Sequence, residues 1–239
     1  MTVIGFDLDM TLVDSADAIV ACVAHTCAVY GFAVDEDAVR ATVGLPLDQV
    51  FPDLMPGVVY ADALEVYRAH YLSHGLAMQS LLPGAREALE AVRRDGFRVV
   101  VISAKKDTHV QAVLETVGLA ALVDEVVGER FAETKADALR ERGALAYVGD
   151  HVGDVVGALG ADAVAVGVAT GPTSRDELEA AGADPVLDDL TGFVPWWTSW
   201  LATLHDVAAS HDVAPRDGTR HPDAREPKRD KRSTQEADA

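Results

Sequence analysis

VIGFDLDMTL, at residues 3–12, is the stretch of sequence that decides the fold. Its first four residues form a short, continuous apolar run, which is the pattern of a buried strand. Asp7, Asp9 and Thr11 follow this run at alternate positions. Ligands bind at the carboxyl ends of the strands in open α/β sheets. The stretch therefore predicts a buried parallel strand that delivers acidic residues to a functional edge.

Four further apolar runs alternate with helix patterns along the chain. The runs cover residues 98–102, 122–127, 145–148 and 163–168. The helix patterns cover residues 85–94, 108–117 and 132–142, and a glycine lies close behind each of them, at Gly96, Gly118 and Gly143. Strands and helices that alternate in this way are typical of βα units. We predict an α/β fold with a Rossmann-like parallel sheet as its core.

One gap in this alternation is too long for a simple crossover. Asp9 and Phe97 are separated by 87 residues, whereas a βαβ unit takes about 30. Within the gap, apolar residues recur at helical spacing from Ala16 to Tyr30, and residues 35–43 and 59–72 also suit helices. We predict a small helical domain at residues 15–80, inserted into a core made of residues 1–14 and 81–205.

Charge and composition limit the partners and the extent of the fold. The 239 residues include 20 Lys+Arg and 39 Asp+Glu, a net charge of −19, which repels nucleic acid and anionic lipid. Residues 206–239 contain no aromatic residue, leucine or isoleucine, so we predict a disordered tail there. With only two cysteines, no basic leader and no run of about 18 apolar residues, we expect a cytoplasmic monomer or homodimer without a nucleic-acid or membrane partner.

Charged and hydroxyl side chains follow three of the predicted strands or begin the next helix. They are Asp7, Asp9, Thr11, Ser103, Lys135, Asp150 and Asp154. Four carboxylates at one sheet edge repel one another unless a cation neutralises them, and hard oxygen ligands specify Mg²⁺. That cation would also attract a phosphate, whose remaining oxygens Ser103 and Lys135 could bind. One aspartate can then attack phosphorus while a second donates a proton to the leaving oxygen.

The order and spacing of these residues resemble the four motifs of the haloacid dehalogenase-like (HAD) superfamily. The motifs are DLDMTL at residues 7–12, Ser103 after a strand, Lys135, and GDHVGD at residues 149–154. The resemblance covers residues 3–190 and implies that the inserted helical domain is a cap that closes over the substrate.

Roles for individual residues follow from this resemblance alone. It implies that Asp7 is the nucleophile, forming an aspartyl-phosphate, and that Asp9 is the general acid and then the base. The expected phosphoryl contacts are Thr11, Ser103 and Lys135. The expected Mg²⁺ ligands are Asp7, the backbone carbonyl of Asp9, Asp150 and Asp154.

Two positions depart from the family pattern. Met10 stands where close relatives usually have glycine, although the backbone must still turn beside the metal. Ala104 stands where many members have asparagine, which removes one side-chain contact near the phosphate. Neither position carries a charge in the expected chemistry.

The resemblance favours a Mg²⁺-dependent hydrolase of a small-molecule phosphate ester, with 2-phosphoglycolate as the first candidate substrate. Arg40 in the cap is predicted to contact the substrate, and His151 is predicted to face solvent at a helix start.

Several alternatives are weighed against this function. A sugar phosphomutase would keep the same carboxylates. A 2-haloacid dehalogenase would not need the acid at Asp9, and a phosphonoacetaldehyde hydrolase would need a cap lysine that residues 15–80 lack. A non-catalytic regulatory relative would be expected to have lost a motif residue, and all are present.

Overall fold

The core of the protein is a parallel sheet, as the sequence predicts. The structure is a computed structural model that describes residues 2–211, with side chains described to residue 204. Its strands are β1 (Val3–Phe6), β2 (Val13–Asp14), β3 (Ser80–Leu81), β4 (Arg98–Ile102), β5 (Glu125–Val127), β6 (Ala144–Gly149), β7 (Val164–Val168) and β8 (Val186–Leu187). Six of them form one sheet in the order β5-β4-β1-β6-β7-β8, and every pairing in it is parallel. The predicted α/β fold is confirmed.

The register of the three central strands brings their ends together. All four residues of β1 are buried, and Phe6 pairs with Val101 on β4 and with Val148 on β6. The residue after Phe6 is Asp7, so it emerges level with the last residues of both neighbours. This register sets the position of the functional edge.

Helices connect the strands and flank the sheet. The helices are α1 (Ala16–Val29), α2 (Glu36–Arg40), α3 (Leu47–Leu54), α4 (Tyr60–Ser73), α5 (Ala85–Arg94), α6 (Asp107–Thr116), α7 (Glu133–Arg142), α8 (Val152–Gly160), α9 (Arg175–Ala181) and α10 (Phe193–His211). Short 3-10 helices cover Gly75–Met78, Ala120–Leu122 and Leu190–Gly192. Gly96, Gly118 and Gly143 all have positive φ, as expected of glycines that end helices.

A two-stranded neck connects the core to the helical insertion. Strands β2 and β3 pair antiparallel, and Asp14 lies opposite Ser80. Helices α1 to α4 lie between these strands in the chain, and α1 packs against both α2 and α4. The helical insertion predicted at residues 15–80 therefore leaves the core and returns to it at neighbouring points.

The last described helix begins with a buried aromatic contact. Phe193 and Trp197 are fully buried, and the Trp197 indole Nε1 donates to Asp95 Oδ2 at 2.7 Å. Helix α10 continues to His211, six residues into the segment predicted as a tail, and residues 212–239 lie outside the described part of the chain. In that described part, no helix is both long and apolar enough to cross a membrane.

Candidate active site

Three strand ends and two helix starts supply the polar residues of the site. Asp7 follows β1, Ser103 follows β4 and Asp150 follows β6, while Lys135 and Asp154 lie in the first turns of α7 and α8. Almost the whole predicted set is buried: Asp7, Thr11, Ser103, Lys135, Asp150 and Asp154. Asp9 is partly buried.

Lys135 joins two of the carboxylates. Its Nζ lies 2.7 Å from Asp7 Oδ1 and 2.5 Å from Asp154 Oδ1. Burial lowers the pKa of Lys135, but the charges of Asp154 and Asp7 together outweigh it, so the pKa is raised well above its usual value. An ammonium group has three donors. With two of them on carboxylates, one is left for a phosphoryl oxygen.

Asp7, Asp150 and Asp154 each offer one carboxylate oxygen, and these three oxygens lie within 4.8 Å of one another. Burial is the main cause that raises the pKa of Asp7, to about 7; Lys135 lowers it, and Asp154 and Asp9 add to the rise. Burial, followed by the charges of Asp154 and Asp7, raises the pKa of Asp150 well above its usual value. In both residues burial is the first cause of the shift and the neighbouring carboxylates add to it.

Two carboxylate oxygens at this site are buried without a hydrogen-bond partner in the described part of the chain. They are Asp150 Oδ2 and Asp9 Oδ1, whereas Asp150 Oδ1 accepts from Thr11 Oγ1 at 2.9 Å. A buried acceptor without a partner is costly. An oxygen-seeking divalent cation would satisfy Asp150 Oδ2 and neutralise the cluster, so these residues fit the expected Mg²⁺.

Asp9 has a different partner from the other carboxylates. Its Oδ2 lies 3.1 Å from Lys105 Nζ, and this Nζ also lies 4.2 Å from the centre of the Tyr71 ring in α4. Lys105 lies two residues after Ser103 and is not among the site residues that the sequence predicts. The chain has only five lysines, and this scarcity is the sequence signal that could have pointed to Lys105.

The turn beside Asp9 keeps its shape although it contains methionine. Met10 has φ 57°, in the left-handed region that glycine adopts more easily. The Met10 N–H donates to the Val13 carbonyl at 2.8 Å, and its own carbonyl accepts from Thr170 Oγ1 at 2.5 Å. Two hydrogen bonds, one of them from the distant residue Thr170, therefore hold the strained turn.

A loop after β7 closes over Asp150. A Cβ atom on Gly171 would lie 1.9 Å from Asp150 Oδ2, a distance that no side chain tolerates. Gly171 is thus required for the loop to approach the carboxylate. Sequence reasoning missed Thr170 and Gly171, because nothing local in the sequence links this loop to the strand ends.

A cavity of about 470 Å³ lies between the helical insertion and the sheet edge. Its floor includes Asp7, Asp9, Ser103, Lys135, Asp150 and Asp154. The insertion contributes residues 42–50 and one face each of α1 and α4, which are largely apolar. Besides Lys135, four lysine or arginine side chains line the cavity: Arg68, Lys105, Lys106 and Arg130. The cluster of carboxylates is therefore reached through a cleft of small-molecule size.

Comparison with known proteins identifies the family. The sequence pattern described as haloacid dehalogenase-like hydrolase matches residues 4–168. This chain belongs to that family. The match spans both the inserted helices and the strands that carry the site.

Similar proteins cover most of this HAD-like hydrolase. The probable phosphatase IndB of Dickeya dadantii (strain 3937) is 31% identical over 209 residues, which is 79% of this chain and 90% of the relative. A phosphoglycolate phosphatase of Rhodospirillum rubrum is 32% identical over 216 residues, 80% of this chain and 88% of the relative. A solved structure described as a predicted phosphatase from Clostridium acetobutylicum has a TM-score of 0.73 at 25% identity, covering 83% of this chain and 98% of the other.

The structure gathers most of the predicted site residues of this HAD-like hydrolase at one edge. Thr11 belongs to the site through its bond to Asp150, but it does not line the cavity. Arg40 lies apart, because its Nη2 is 2.6 Å from Asp17 Oδ1 on an exposed surface and it does not line the cavity.

His151 does not face solvent as predicted. It is partly buried and lines the cavity. Its Nδ1 accepts from the Gly153 N–H at 2.9 Å, which caps α8, and its ring centre lies 5.5 Å from that of Phe131. Burial lowers the pKa of His151.

Proposed function

We propose that this HAD-like hydrolase is a Mg²⁺-dependent phosphomonoester hydrolase that works through an aspartyl-phosphate on Asp7. The observation that carries the proposal is the buried cluster of three carboxylates, with one unpartnered oxygen, at the floor of a cavity. Asp7 is held there by a lysine and lines the cavity. The names of the relatives, phosphatase and phosphoglycolate phosphatase, agree with it.

In the first half of the reaction, an Asp7 carboxylate oxygen attacks phosphorus and the bond to the ester oxygen breaks. Asp9, which also lines the cavity, gives its proton to the leaving oxygen, so that a neutral alcohol departs. Lys135 orients Asp7, and Ser103 presents its hydroxyl beside it. Asp7, Asp150 and the Asp9 carbonyl would hold Mg²⁺, with Asp154 in support, and the bound ion would supply positive charge for the phosphoryl oxygens.

In the second half, Asp9 acts as a base. It accepts a proton from a water molecule whose oxygen attacks the phosphorus of the aspartyl-phosphate. The bond between phosphorus and Asp7 then breaks, which releases inorganic phosphate and restores the Asp7 carboxylate. The insertion over the cavity limits the entry of other water molecules during these steps.

The substrate class we propose is a small phosphorylated metabolite. 2-Phosphoglycolate is the first compound to test, because relatives bear the name of its phosphatase. Arg68, Lys106 and Arg130 line the cavity and could bind a carboxylate, whereas Arg40 pairs with Asp17 on the surface. We also propose a cytoplasmic location, which the two buried free cysteines, Cys22 and Cys27, support.

The test is steady-state hydrolysis of a panel of phosphate esters with Mg²⁺ and with EDTA. Asp7→Asn should lose at least about 10³-fold in kcat, while the exposed Asp17→Asn keeps wild-type activity. The wild-type protein quenched during turnover should carry one phosphoryl group on the peptide that contains Asp7, seen by mass spectrometry. Full activity in EDTA, or more than a trace of activity in Asp7→Asn, would contradict the proposal.

A further inference from the structure

We propose that the preferred ester carries an uncharged, mostly apolar organic group that packs against the cap side of the cavity. This inference rests on the function proposed above and concerns the same site. The cap surface involved, called here the apolar patch, consists of Val43, Leu45, Leu47, Tyr60 and Tyr67, all of which line the cavity.

The size of the cavity favours a substrate larger than a two-carbon acid. Phosphoglycolate has about nine non-hydrogen atoms, and even at the roughly 30 Å³ that one water molecule occupies in the liquid it would fill at most about 270 Å³. The cavity measures about 470 Å³. The lining of this cavity includes both the catalytic floor and the apolar patch.

Two side chains of the apolar patch are partly exposed to solvent. Leu45 is 36% exposed and Tyr60 is 37% exposed, although both line the cavity beside the catalytic floor. Val43 and Tyr67 are buried and complete the wall. Covering such apolar surface with an apolar ligand group is favourable, because it removes that surface from water.

The cations nearest this patch already have carboxylate partners. Residues 43–47 contain no ionisable side chain, and Lys105 Nζ, which lies in the loop after β4, is 3.1 Å from Asp9 Oδ2. The Arg68 Nη2 is already 2.5 Å from Glu129 Oε1. A second phosphate or carboxylate against the patch would lose its water without gaining a cation. The group that meets the patch should therefore be uncharged.

A series of straight-chain alkyl phosphates from methyl to hexyl tests the inference with Mg²⁺ present. The leaving alcohols differ little in acidity, so kcat/KM reports contacts of the alkyl chain. We expect kcat/KM to rise about fourfold for each added methylene over the first several carbons, as expected for burial of a methylene. Leu45→Ser should flatten this rise, measured as the ratio of kcat/KM for hexyl phosphate to that for methyl phosphate. Leu72→Ser, which alters an exposed cap leucine outside the cavity, should keep the wild-type ratio.

The outcomes separate this inference from the proposed function. If Mg²⁺-dependent hydrolysis is present but kcat/KM stays level or falls from methyl to hexyl phosphate, the inference is wrong and the proposed function stands. A kcat/KM for 2-phosphoglycolate more than tenfold above that for hexyl phosphate would also overturn it. If no ester in either panel is hydrolysed, the proposed function fails and the inference fails with it.

Discussion

Removing the divalent cation should make the stability of this protein fall as the pH rises. Without metal, the pKa of Asp7 is about 7 in the folded protein, chiefly because the carboxyl is buried, compared with 3.8 for an ordinary aspartate. The folded state therefore holds this proton at pH values where the unfolded chain has already released it. The free energy of unfolding must decrease between about pH 4 and pH 8 and level off above pH 8. At 1.36 kcal/mol per pH unit, with a slope that vanishes as Asp7 ionises, the loss between pH 5.5 and pH 8.5 is about 2 kcal/mol.

The assay is urea unfolding in EDTA at pH values from 5.5 to 8.5, for the wild type and for Asp7→Asn. The lower limit keeps the protein away from its sequence pI of about 4.6, where solubility is lowest. Histidines whose pKa is lowered by burial, such as His109 and His151, have the opposite effect on stability, but both proteins contain them. The difference in free energy of unfolding, variant minus wild type, should grow by about 2 kcal/mol from pH 5.5 to pH 8.5.

Excess Mg²⁺ should reverse this trend in the wild type. The ion binds the ionised cluster in the folded state, so it stabilises the wild type most at high pH and the variant least. A difference between the two proteins that stays constant within about 0.5 kcal/mol from pH 5.5 to pH 8.5 in EDTA would refute the reasoning from Asp7.

Three substitutions test other parts of the site. Asp9→Asn should lower kcat about 10²- to 10⁴-fold for an alkyl phosphate but far less for p-nitrophenyl phosphate, whose leaving group needs no proton; equal losses would contradict the acid role. Met10→Gly should raise the free energy of unfolding by up to about 1 kcal/mol, because relief of the left-handed strain exceeds the entropy cost of glycine; a destabilised variant in urea would show that the methionine side chain matters more. Gly171→Ala should weaken Mg²⁺ affinity at least about tenfold by displacing Asp150. Gly192→Ala, whose added Cβ would make only ordinary contacts, should leave the affinity unchanged. Calorimetric titration of both variants with Mg²⁺ measures the two affinities, and equal values would contradict the role of Gly171.

The sheet and the floor of the site were predictable because local patterns determine them. Residues 98–102 are a continuous apolar run and form β4 with the predicted bounds. Once the strands are parallel, their carboxyl ends share one edge, which places Asp7, Ser103 and Asp150 together without knowledge of any side-chain contact. The neck strands β2 and β3 have two residues each, too few to show a period in the sequence.

The partners of single side chains were less predictable, because they depend on distant elements. Arg40 pairs with Asp17, 23 residues earlier in the chain, and is drawn to the surface. Lys105, in the loop after β4, pairs with Asp9, in the loop after the neighbouring strand β1. This contact depends on the shapes of both loops. His151 is covered by the cap, since a Cβ on Gly44 would lie 3.1 Å from its ring. Helical periodicity in the cap predicts its helices but not which of its loops touches the core.

The neck formed by β2 and β3 separates the part of the chain proposed to select the substrate from the part proposed to react with it. Because Asp14 and Ser80 are cross-strand partners, everything between them can be lengthened, replaced or exchanged while the two ends stay where they are. The sheet edge with its aspartates lies wholly outside this segment, and the apolar patch lies wholly inside it. Replacement of this one contiguous stretch of chain can therefore change the substrate specificity. The residues proposed to hydrolyse the phosphate ester need not change with it.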